Sequence, residues 1–414
     1  MMYENEEKPQ RVVLVAVDTG EFDIETSLLE LAELAQSAGA EVIARVSQKR
    51  PDYDKATMIG SGRLEELHGF SDENDIDLLI FDHELTASQI RNITEAAGVG
   101  VIDRTMLILD IFAKNARTKE GALQVELAQQ RYRLPRLGGQ GKSPSRLGGG
   151  IGTRGPGESK LESDKRHIHR RIEALEEQLG ELTKRRGLLR TRRKKDGVTT
   201  VAIVGYTNVG KSTLLNAFTD AGVLTEDKLF ATLDPTARAL ELPDGRSVML
   251  VDTVGFLRRL PHHLVEAFRS TLEEAVEADL LLNVCDVSSP EVQEQIEVTE
   301  ALMAELGAKG TPTITVLNKC DMVEHFEPVS NIGNNVVISA KTGYGLHELL
   351  QKISELLEPS QLRLTLIIPY EKTAIIAEIR KEGKIFAEEY VAEGTKLEAL
   401  VDKKILHMVE DFIC

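Results

Sequence analysis

The sequence predicts an α/β fold organised around a doubly wound, mostly parallel sheet of the Ras-like P-loop type, and three observations lead to it. Apolar strands alternate with amphipathic helices through about the first hundred residues. A β-branched strand then runs into Gly205-x4-Gly210-Lys211-Ser212 and on into a helix, in TTVAIVGYTNVGKSTLLNAF. Further apolar strands end in short polar motifs, and doubly wound sheets bind their ligands at those strand ends.

Residues 1–104 are predicted to form a separate small α/β domain. Its strands are VVLVAV, EVIARV, DLLIF and VGVI, and amphipathic helices cover Ile24 to Ala38 and Ala87 to Ala97. This alternation favours a parallel sheet. The turn Ile59-Gly60-Ser61-Gly62-Arg63 has two interpretations, a phosphate contact or a simple tight turn, and a lone Gly-x-Gly is more often the second.

Residues 105–195 are predicted to form an antiparallel helical hairpin. A helix from about Glu158 to Arg192 carries apolar residues at heptad spacing, namely Leu161, Ile168, Ile172, Leu175, Leu179, Leu182 and Leu189. The stretch from Thr105 to Leu134 also has a helical pattern, with an apolar face made by Leu109, Phe112, Ala116, Leu123 and Leu127. The alternative is that the two helices pack on different domains.

The loop at the hairpin tip, residues 136–160, combines basic side chains with glycine, serine and proline. This composition cannot build a core, so it favours a mobile segment that orders on RNA phosphates. The candidate RNA contacts are Arg136, Lys142, Arg146 and Arg154. A plain flexible linker is the alternative.

Charge is segregated along the chain. The net charge of −17 would by itself argue against a nucleic-acid partner. From Arg131 to Lys195, however, nineteen Lys and Arg face seven Asp and Glu, a net charge of +12, which leaves −29 for the rest of the chain. The hairpin segment is therefore the part of the chain that is suited to RNA.

Residues 196–359 are predicted to form a P-loop domain. Backbone N–H groups of the loop would curl around phosphate oxygens, Lys211 would reach the β- and γ-phosphates, and Ser212 would ligate Mg²⁺. Asn208 is a candidate K⁺ ligand, and shaping the loop is its alternative role. The nucleotide contacts expected in this segment are Gly205, Tyr206, Thr207, Asn208, Val209, Gly210, Lys211, Ser212 and Thr213.

A DxxG motif follows the next predicted strand, in VMLVDTVGF. Asp252 would hold Mg²⁺ through water and Gly255 would sense the γ-phosphate, with Thr253 and Val254 between them as further nucleotide contacts. The next residue is Phe256, where many signalling GTPases carry a glutamine that orients the attacking water. A phenyl ring cannot do this, so we expect slow intrinsic hydrolysis that depends on another group, a partner or a monovalent cation.

The segment KLFATLDPT offers the residues that would close over the γ-phosphate. Thr232 is the expected ligand of Mg²⁺ and the γ-phosphate, Thr236 is its competitor, and Phe230 and Ala231 are expected beside the nucleotide. The predicted catalytic set is therefore Lys211, Thr232 and Gly255.

Guanine specificity is predicted from Asn318, Lys319 and Asp321, in TITVLNKCD. The carboxylate of Asp321 can accept hydrogen bonds from guanine N1–H and the exocyclic amine, a pair that adenine lacks. Ser339, Ala340 and Lys341 form a turn that offers a backbone N–H to guanine O6. The order of these motifs along the chain makes GTP the expected ligand.

Residues 360–414 are predicted to form a small appended α+β unit. Cys285, Cys320 and Cys414 have no pairing or metal-like spacing, no apolar run is long enough to span a membrane, and no signal peptide is expected. These features favour the cytoplasm, with partial peripheral membrane association as a second candidate.

With these motifs in place, the chain resembles the HflX-type GTPases, a family of ribosome-binding proteins related to translation factors. The resemblance covers residue 1 to about residue 358, and it is carried by GGGIGTRGPGESKLESDKRHI, GYTNVGKSTLLNAFT, KLFATLDPTAR, NKCD and the long segment beginning VDTVGFLRRLPHHL. The last 55 residues match the family pattern poorly. Phe256 agrees with the family, which has a hydrophobic residue there.

The resemblance implies binding to the 50S subunit, with the hairpin loop extended toward the peptidyl transferase centre, and dissociation of stalled or vacant 70S ribosomes under stress. It implies that GTP favours binding, that hydrolysis to GDP permits release, that the ribosome stimulates hydrolysis, and that the chain is a monomer off the ribosome. Two other classes of function stay open: an RNA-remodelling NTPase and a GTP-gated protein scaffold.

Overall fold

The computed structural model describes residues 8–139, 160–195, 197–219, 230, 236–259, 264, 272–308, 310–323, 334–357, 361–402 and 405–414. Within them the chain forms three sheets and a long helical pair, and the predicted α/β class is confirmed. The domain boundaries given above stay predictions.

The first sheet is parallel, with strand order β2-β1-β3-β4. Its strands are β1 (Arg11–Asp18), β2 (Glu41–Lys49), β3 (Leu78–Phe81) and β4 (Gly100–Asp103). The connecting helices are α1 (Ile24–Ala38), α2 (Ser61–Glu73) and α3 (Ala87–Ala97). Asp23 caps α1 and a Thr86–Gln89 capping box begins α3, so local capping explains why both helices have the predicted bounds.

Three helices follow: α4 (Arg104–Asn115), α5 (Lys119–Arg133) and α6 (Lys160–Lys195). The prediction of one helix from Thr105 to Leu134 was therefore wrong at its centre. Ala116 is extended there, and the Thr118 hydroxyl accepts the Gly121 N–H and caps a new helix. The capping hydroxyl of Thr118 thus begins a second helix where the pattern predicted one continuous helix.

Helices α5 and α6 pack against each other in antiparallel orientation. Leu123 and Leu127 of α5 contact Ile172 and Leu175 of α6, with Ile168, Leu179 and Leu182 around them. Ion pairs cross the pair in opposite chain directions, Arg186 with Glu120 at 2.8 Å and Arg131 with Glu176 at 2.7 Å. The alternative of two separately packed helices is therefore wrong.

The second sheet has the order β10-β9-β8-β5-β7-β6, and among its described strands every pair except β6–β7 is parallel. Its strands are β5 (Thr200–Gly205), β6 (Thr236–Glu241), β7 (Ser247–Asp252), β8 (Leu280–Asp286), β9 (Thr313–Asn318) and β10 (Asn335–Val337). Helices α7 (Lys211–Thr219), α8 (Val292–Leu306) and α9 (Leu346–Leu356) connect them.

The third sheet is antiparallel, with the order β11-β13-β12. It contains β11 (Gln361–Ile368), β12 (Lys384–Val391) and β13 (Gly394–Asp402), with α10 (Thr373–Glu382) and the short α11 (Leu406–Val409). Short 3₁₀ helices cover Leu134–Gly139, Cys320–Met322, Tyr370–Lys372 and Glu410–Phe412. A small α+β unit was predicted here, and one is present.

The first and second sheets belong to one continuous packing arrangement. A buried apolar cluster extends from β1, α1 and α4 to the P-loop domain. Within it the ring centroids of Phe112 and Phe230 lie 4.4 Å apart, with the rings tilted by 56°. No helix within the described ranges is both long and apolar enough to cross a membrane.

The seam between α5 and α6 gives a test of the hairpin. Leu175 is fully buried in it, so Leu175→Ala is expected to cost about 2–5 kcal/mol of local stability through the lost contacts and the cavity. Leu188 lies on the same helix with 74% of its surface exposed, so Leu188→Ala is the matched control and should change stability by less than about 0.5 kcal/mol.

Amide hydrogen exchange of α5 and α6 measures both changes. Protection should fall in both helices for the Leu175 variant alone. Equal protection in the two variants would show that this seam does not hold the hairpin together.

Candidate nucleotide site

The P-loop connects β5 to α7 and depends on two glycines. A methyl group added at Gly205 (φ 142°) would lie 2.2 Å from the Val284 carbonyl oxygen, and one at Gly210 (φ 95°) would lie 2.4 Å from Asn318 Nδ2. Neither position tolerates a side chain, and Asn208 between them is also left-handed at φ 61°. The tight turn leaves Val209 buried, Asn208 exposed and Thr213 at the start of α7.

Lys211, the first residue of α7, is buried inside this loop. Its ammonium donates to the carbonyl oxygens of Tyr206 at 2.6 Å and Gly205 at 3.1 Å. Burial lowers the pKa of Lys211 to about 8. An anion bound in the loop would therefore lie close to the Lys211 ammonium. Because this ammonium is shielded from water, its attraction to the anion would be strong.

Ser212, at the start of α7, lies beside Asp252, at the end of β7. The Ser212 hydroxyl donates to Asp252 Oδ2 at 2.7 Å, and Asp252 is fully buried. Hydroxyl and carboxylate oxygens suit Mg²⁺, which keeps several waters and phosphate oxygens in its shell. Within the described ranges no cluster of three His, Cys, Asp or Glu could hold a metal.

The DxxG segment lies directly on the P-loop. The Phe256 N–H donates to the Gly205 carbonyl at 3.1 Å, and the Thr207 N–H donates to the Phe256 carbonyl at 2.8 Å. A methyl group on Gly255 would lie 2.9 Å from Lys211 Nζ, and Val254 and Thr253 are buried behind it. The Thr253 hydroxyl donates to the Ile203 carbonyl at 2.7 Å, which anchors the segment to β5.

The ring of Phe256 is 1% exposed and belongs to an apolar cluster with Val204, Leu272, Ala275, Leu281 and Met303. It packs into the core behind the sheet. The position is therefore a packing residue in this structure, and the expectation of slow intrinsic hydrolysis stays a prediction.

Asn318 joins the three motifs that surround the expected base site. Its Nδ2 donates to the Val209 carbonyl at 2.8 Å, and its Oδ1 accepts the Ala340 N–H at 2.9 Å. Lys319, at φ 65°, forms an ion pair with Asp286 at 2.7 Å. Asn318 therefore fixes the distance between the P-loop and the turn that contains Ala340.

The side chains expected to read the base lie around Asn318. Asp321 is exposed in the short 3₁₀ helix Cys320–Met322, and Lys341 is exposed in the following turn. Ser339 is buried, and its hydroxyl accepts the Thr342 N–H at 3.2 Å. The structure therefore brings the predicted guanine-reading residues to one edge of the sheet, with the carboxylate of Asp321 open to a ligand.

Several predicted residues are placed elsewhere or not described. Ala231, Thr232, Lys142, Arg146 and Arg154 lie outside the described residues. Thr236 begins β6, opposite Asp252 in the antiparallel pair. Phe230 packs on Phe112, and its carbonyl accepts a hydrogen bond from Asn115 Nδ2 at 2.8 Å.

Arg136 makes contacts within the protein. Its guanidinium lies 3.4 Å from the Tyr132 ring centroid and donates to the carbonyls of Leu85 at 3.1 Å and Tyr132 at 3.0 Å. Its contact with RNA stays a prediction.

One residue and one contact were missed by the sequence interpretation. Asp286, the partner of Lys319, ends the apolar run LLLNVCD, so the rule of a polar residue at a strand end would have found it. The Tyr206 hydroxyl accepts the Arg258 N–H at 2.7 Å and so ties the P-loop to the segment after DxxG. No sequence pattern indicates that contact, because it depends on how the two segments fold together.

Three family models match consecutive parts of the chain. Residues 25–113 match the family model "GTP-binding GTPase N-terminal", residues 115–193 match "GTP-binding GTPase Middle Region", and residues 200–319 match "50S ribosome-binding GTPase". The chain is 54% identical to the GTPase HflX of Caldanaerobacter subterraneus subsp. tengcongensis, over 98% of this chain and 94% of the relative. It is 42% identical to the GTPase HflX of Escherichia coli, over 89% and 88%.

Among solved structures, the chain is similar to a GTP-binding protein from Sulfolobus solfataricus in complex with GDP, with 26% identity and a TM-score of 0.45. The match covers 84% of this chain and 98% of that one. A score this low does not establish a common arrangement of the domains.

The lowered pKa of Lys211 predicts a pH-dependent affinity. Above about pH 8 the unliganded chain loses the Lys211 proton, so triphosphate binding must take up a proton and weaken by up to tenfold per pH unit. Fluorescence titration of a labelled GTP analogue between about pH 7 and 9 measures this, with Lys211→Met as the weaker-binding control of flat profile. Identical slopes in the two proteins would contradict the assignment.

Asp321 gives a second test, of base recognition. Asp321→Asn replaces an acceptor with a donor opposite the guanine amine, so it should weaken GTP and favour xanthosine triphosphate, by a factor of about 10 or more in the affinity ratio. Glu348→Gln, an acidic residue on α9, provides a matched loss of one charge. An unchanged GTP to XTP ratio in the Asp321 variant would mean that this carboxylate does not read the base.

Proposed function

The chain belongs to the HflX family of GTPases, and we propose that it is a ribosome-associated factor which binds the 50S subunit and dissociates stalled or vacant 70S ribosomes. Hydrolysis of GTP follows from the family and from the GTPase domain. The observation that carries the proposal is that one chain contains both this GTPase domain and an antiparallel helical hairpin of strongly basic sequence.

The hairpin supports a role on RNA through its shape and its charge. Helix α6 has 36 residues, so it can extend roughly 50 Å at 1.5 Å per residue. Lys165, Arg170, Lys184 and Arg185 are exposed along it. The basic tract of residues 136–160 lies between α5 and α6 in sequence, and a hairpin places such a connection at its tip.

In this proposal GTP favours binding and splitting, and hydrolysis to GDP allows release. Mg²⁺ would be held by Ser212, by Thr232 and by Asp252 through water, with Lys211 and the Gly255 N–H on the phosphates. Asn208 is the proposed K⁺ ligand, because its side chain is exposed at the P-loop. The burial of Phe256 supports slow hydrolysis by the isolated chain and stimulation by a ribosomal group supplied in trans, which in other GTPases contributes ~10³–10⁵.

The RNA contacts proposed for the hairpin tip are Lys142, Arg146 and Arg154. Arg136 has protein partners on Tyr132 and Leu85, so its replacement would also disturb the start of the loop. It is therefore tested separately from the other three.

The test is binding to ribosomal subunits. The triple variant Lys142→Ala, Arg146→Ala, Arg154→Ala should keep its GTP affinity, bind 50S subunits more weakly in a pelleting assay with a non-hydrolysable GTP analogue, and reduce the log–log salt slope by up to ~0.7–0.9 per lost contact. A matched variant, Lys372→Ala, Arg380→Ala, Lys381→Ala, removes the same charge from the C-terminal unit and should bind like the parent chain.

Splitting of 70S ribosomes is followed in the same variants by light scattering. Unaltered 50S affinity, salt slope and splitting rate in the triple variant would overturn the role of the tip. A parent chain that never pellets with subunits would point to the protein scaffold, and NTP-dependent unwinding of an RNA duplex would point to RNA remodelling.

A further inference from the structure

Arg259 crosses from the segment after DxxG to the amino-terminal sheet. Its Nη2 lies 2.7 Å from Asp82 Oδ2 and also donates to the Ser27 hydroxyl. Its guanidinium carbon lies 3.9 Å from the centroid of the Phe22 ring. Three groups of the amino-terminal domain therefore hold one side chain of the GTPase domain.

Asp82 is a buried carboxylate at the carboxyl end of β3. Its side chain is 0% exposed, and it accepts hydrogen bonds from Ser27 at 2.7 Å and from Arg104 Nη1 at 3.0 Å. The Arg104 side chain is 4% exposed, and its Nη2 also forms an ion pair with Glu30 Oε1 at 2.7 Å. The cluster thus balances two carboxylates with two guanidinium groups, and withdrawal of Arg259 would leave an excess buried negative charge, which is costly.

The backbone of Arg259 adds a second sign of constraint. Its φ is 50°, a left-handed conformation that non-glycine residues adopt at a cost of order 1–3 kcal/mol. Such a conformation persists where surrounding contacts determine it. The contacts with Asp82, Ser27 and Phe22 are the ones that hold the Arg259 side chain here.

The segment held in this way lies over the P-loop ammonium. Phe256 pairs with Gly205 and Thr207, and the Arg258 N–H donates to the Tyr206 hydroxyl. The Gly255 peptide packs against Lys211, whose ammonium is directed at P-loop carbonyls. The space between Gly255 and Lys211 is narrow, because a β-carbon on Gly255 would lie 2.9 Å from Lys211 Nζ. A γ-phosphate placed there would need this segment to move, whereas GDP carries no γ-phosphate.

We infer that Asp82 is a specificity-determining positioning residue of the GTPase. Through Arg259 it holds residues 254–259 closed on the P-loop, and so it favours GDP over GTP in the isolated chain. Because such coupling is reciprocal, GTP weakens the contact between the amino-terminal and GTPase domains. A partner that draws the amino-terminal domain away would raise the affinity for GTP by the same factor.

The experiment compares Arg259→Ala, Asp82→Asn and the double variant in the full chain. Affinities for labelled GDP and for a labelled non-hydrolysable GTP analogue are measured by fluorescence titration with Mg²⁺. Each single variant should bind the GTP analogue about 5-fold or more tightly than the parent, with GDP affinity within about 2-fold, as expected for a coupling at the low end of the usual range. The double variant should match the single variants, because both remove one interaction.

Arg258→Ala is the matched control. Arg258 is the neighbouring arginine, but its side chain pairs inside the GTPase domain with Glu291 and Glu294, each at 2.8 Å. Its analogue to GDP affinity ratio should stay within about 2-fold of the parent. An equal effect in Arg258→Ala, an additive double variant, or an unchanged or lower ratio in Arg259→Ala would each overturn the inference.

If Asp82→Asn fails to fold because its site is buried, Arg259→Ala and Arg259→Lys test whether the ion pair restrains residues 254–259. Arg259 is 35% exposed, so its replacement does not open the core. Lysine keeps the positive charge next to Asp82. The ratio of GTP-analogue affinity to GDP affinity in Arg259→Lys should therefore be close to that of the parent chain. A lysine variant as altered as the alanine variant would show that the ion pair is not what restrains the segment.

Discussion

The site depends on how closely the P-loop approaches its neighbouring strands. Gly205 lies under the carbonyl of Val284 on β8, and Gly210 lies under the amide of Asn318 at the end of β9, each at a distance that excludes a β-carbon. This contact sets where the loop turns and where α7 begins. It also brings Asn318 within 2.8 Å of the Val209 carbonyl, so the phosphate and base regions are positioned by one side chain.

Burial then determines the electrostatics of the site. Lys211 and Asp252 lie inside the protein, where charges interact strongly and where a missing partner is costly. The same condition applies in the amino-terminal domain, where Asp82 and Arg104 are buried and depend on Arg259 for balance. The two buried charge clusters are connected by residues 252–259, which pass from the P-loop to the Asp82 site.

The hairpin and the GTPase domain are mechanically linked. Arg193, near the end of α6, contacts Glu274 at 3.3 Å beside the sheet that carries the nucleotide site. At the opposite side, Asn115 of α4 holds the carbonyl of Phe230, next to the residues predicted to close over the γ-phosphate. Short, direct contacts therefore join the GTPase domain to the helical region at both of these points.

The amino-acid motifs were enough to predict the kind of site and most of the local structure. Motif spacing placed Asp252 and Asn318 at strand ends and Lys211 and Ser212 at the start of the helix after the P-loop. Periodicity gave α1 and α3 their bounds, and the capping residues explain them. These features are local, because they depend on neighbours within a few residues. The break at Thr118 was missed because its capping hydroxyl lies inside an otherwise continuous helical pattern.

Which distant segments contact each other is seen in the folded chain alone. The Asp82–Arg259 pair joins residues that are 177 positions apart in the chain. The hydrogen bonds of Arg136 to the carbonyls of Tyr132 and Leu85 depend on where the end of α5 packs. Nothing in a residue's own neighbourhood specifies such partners. They follow from the packing of the amino-terminal sheet against the P-loop domain, which brings together charges that are far apart in the chain.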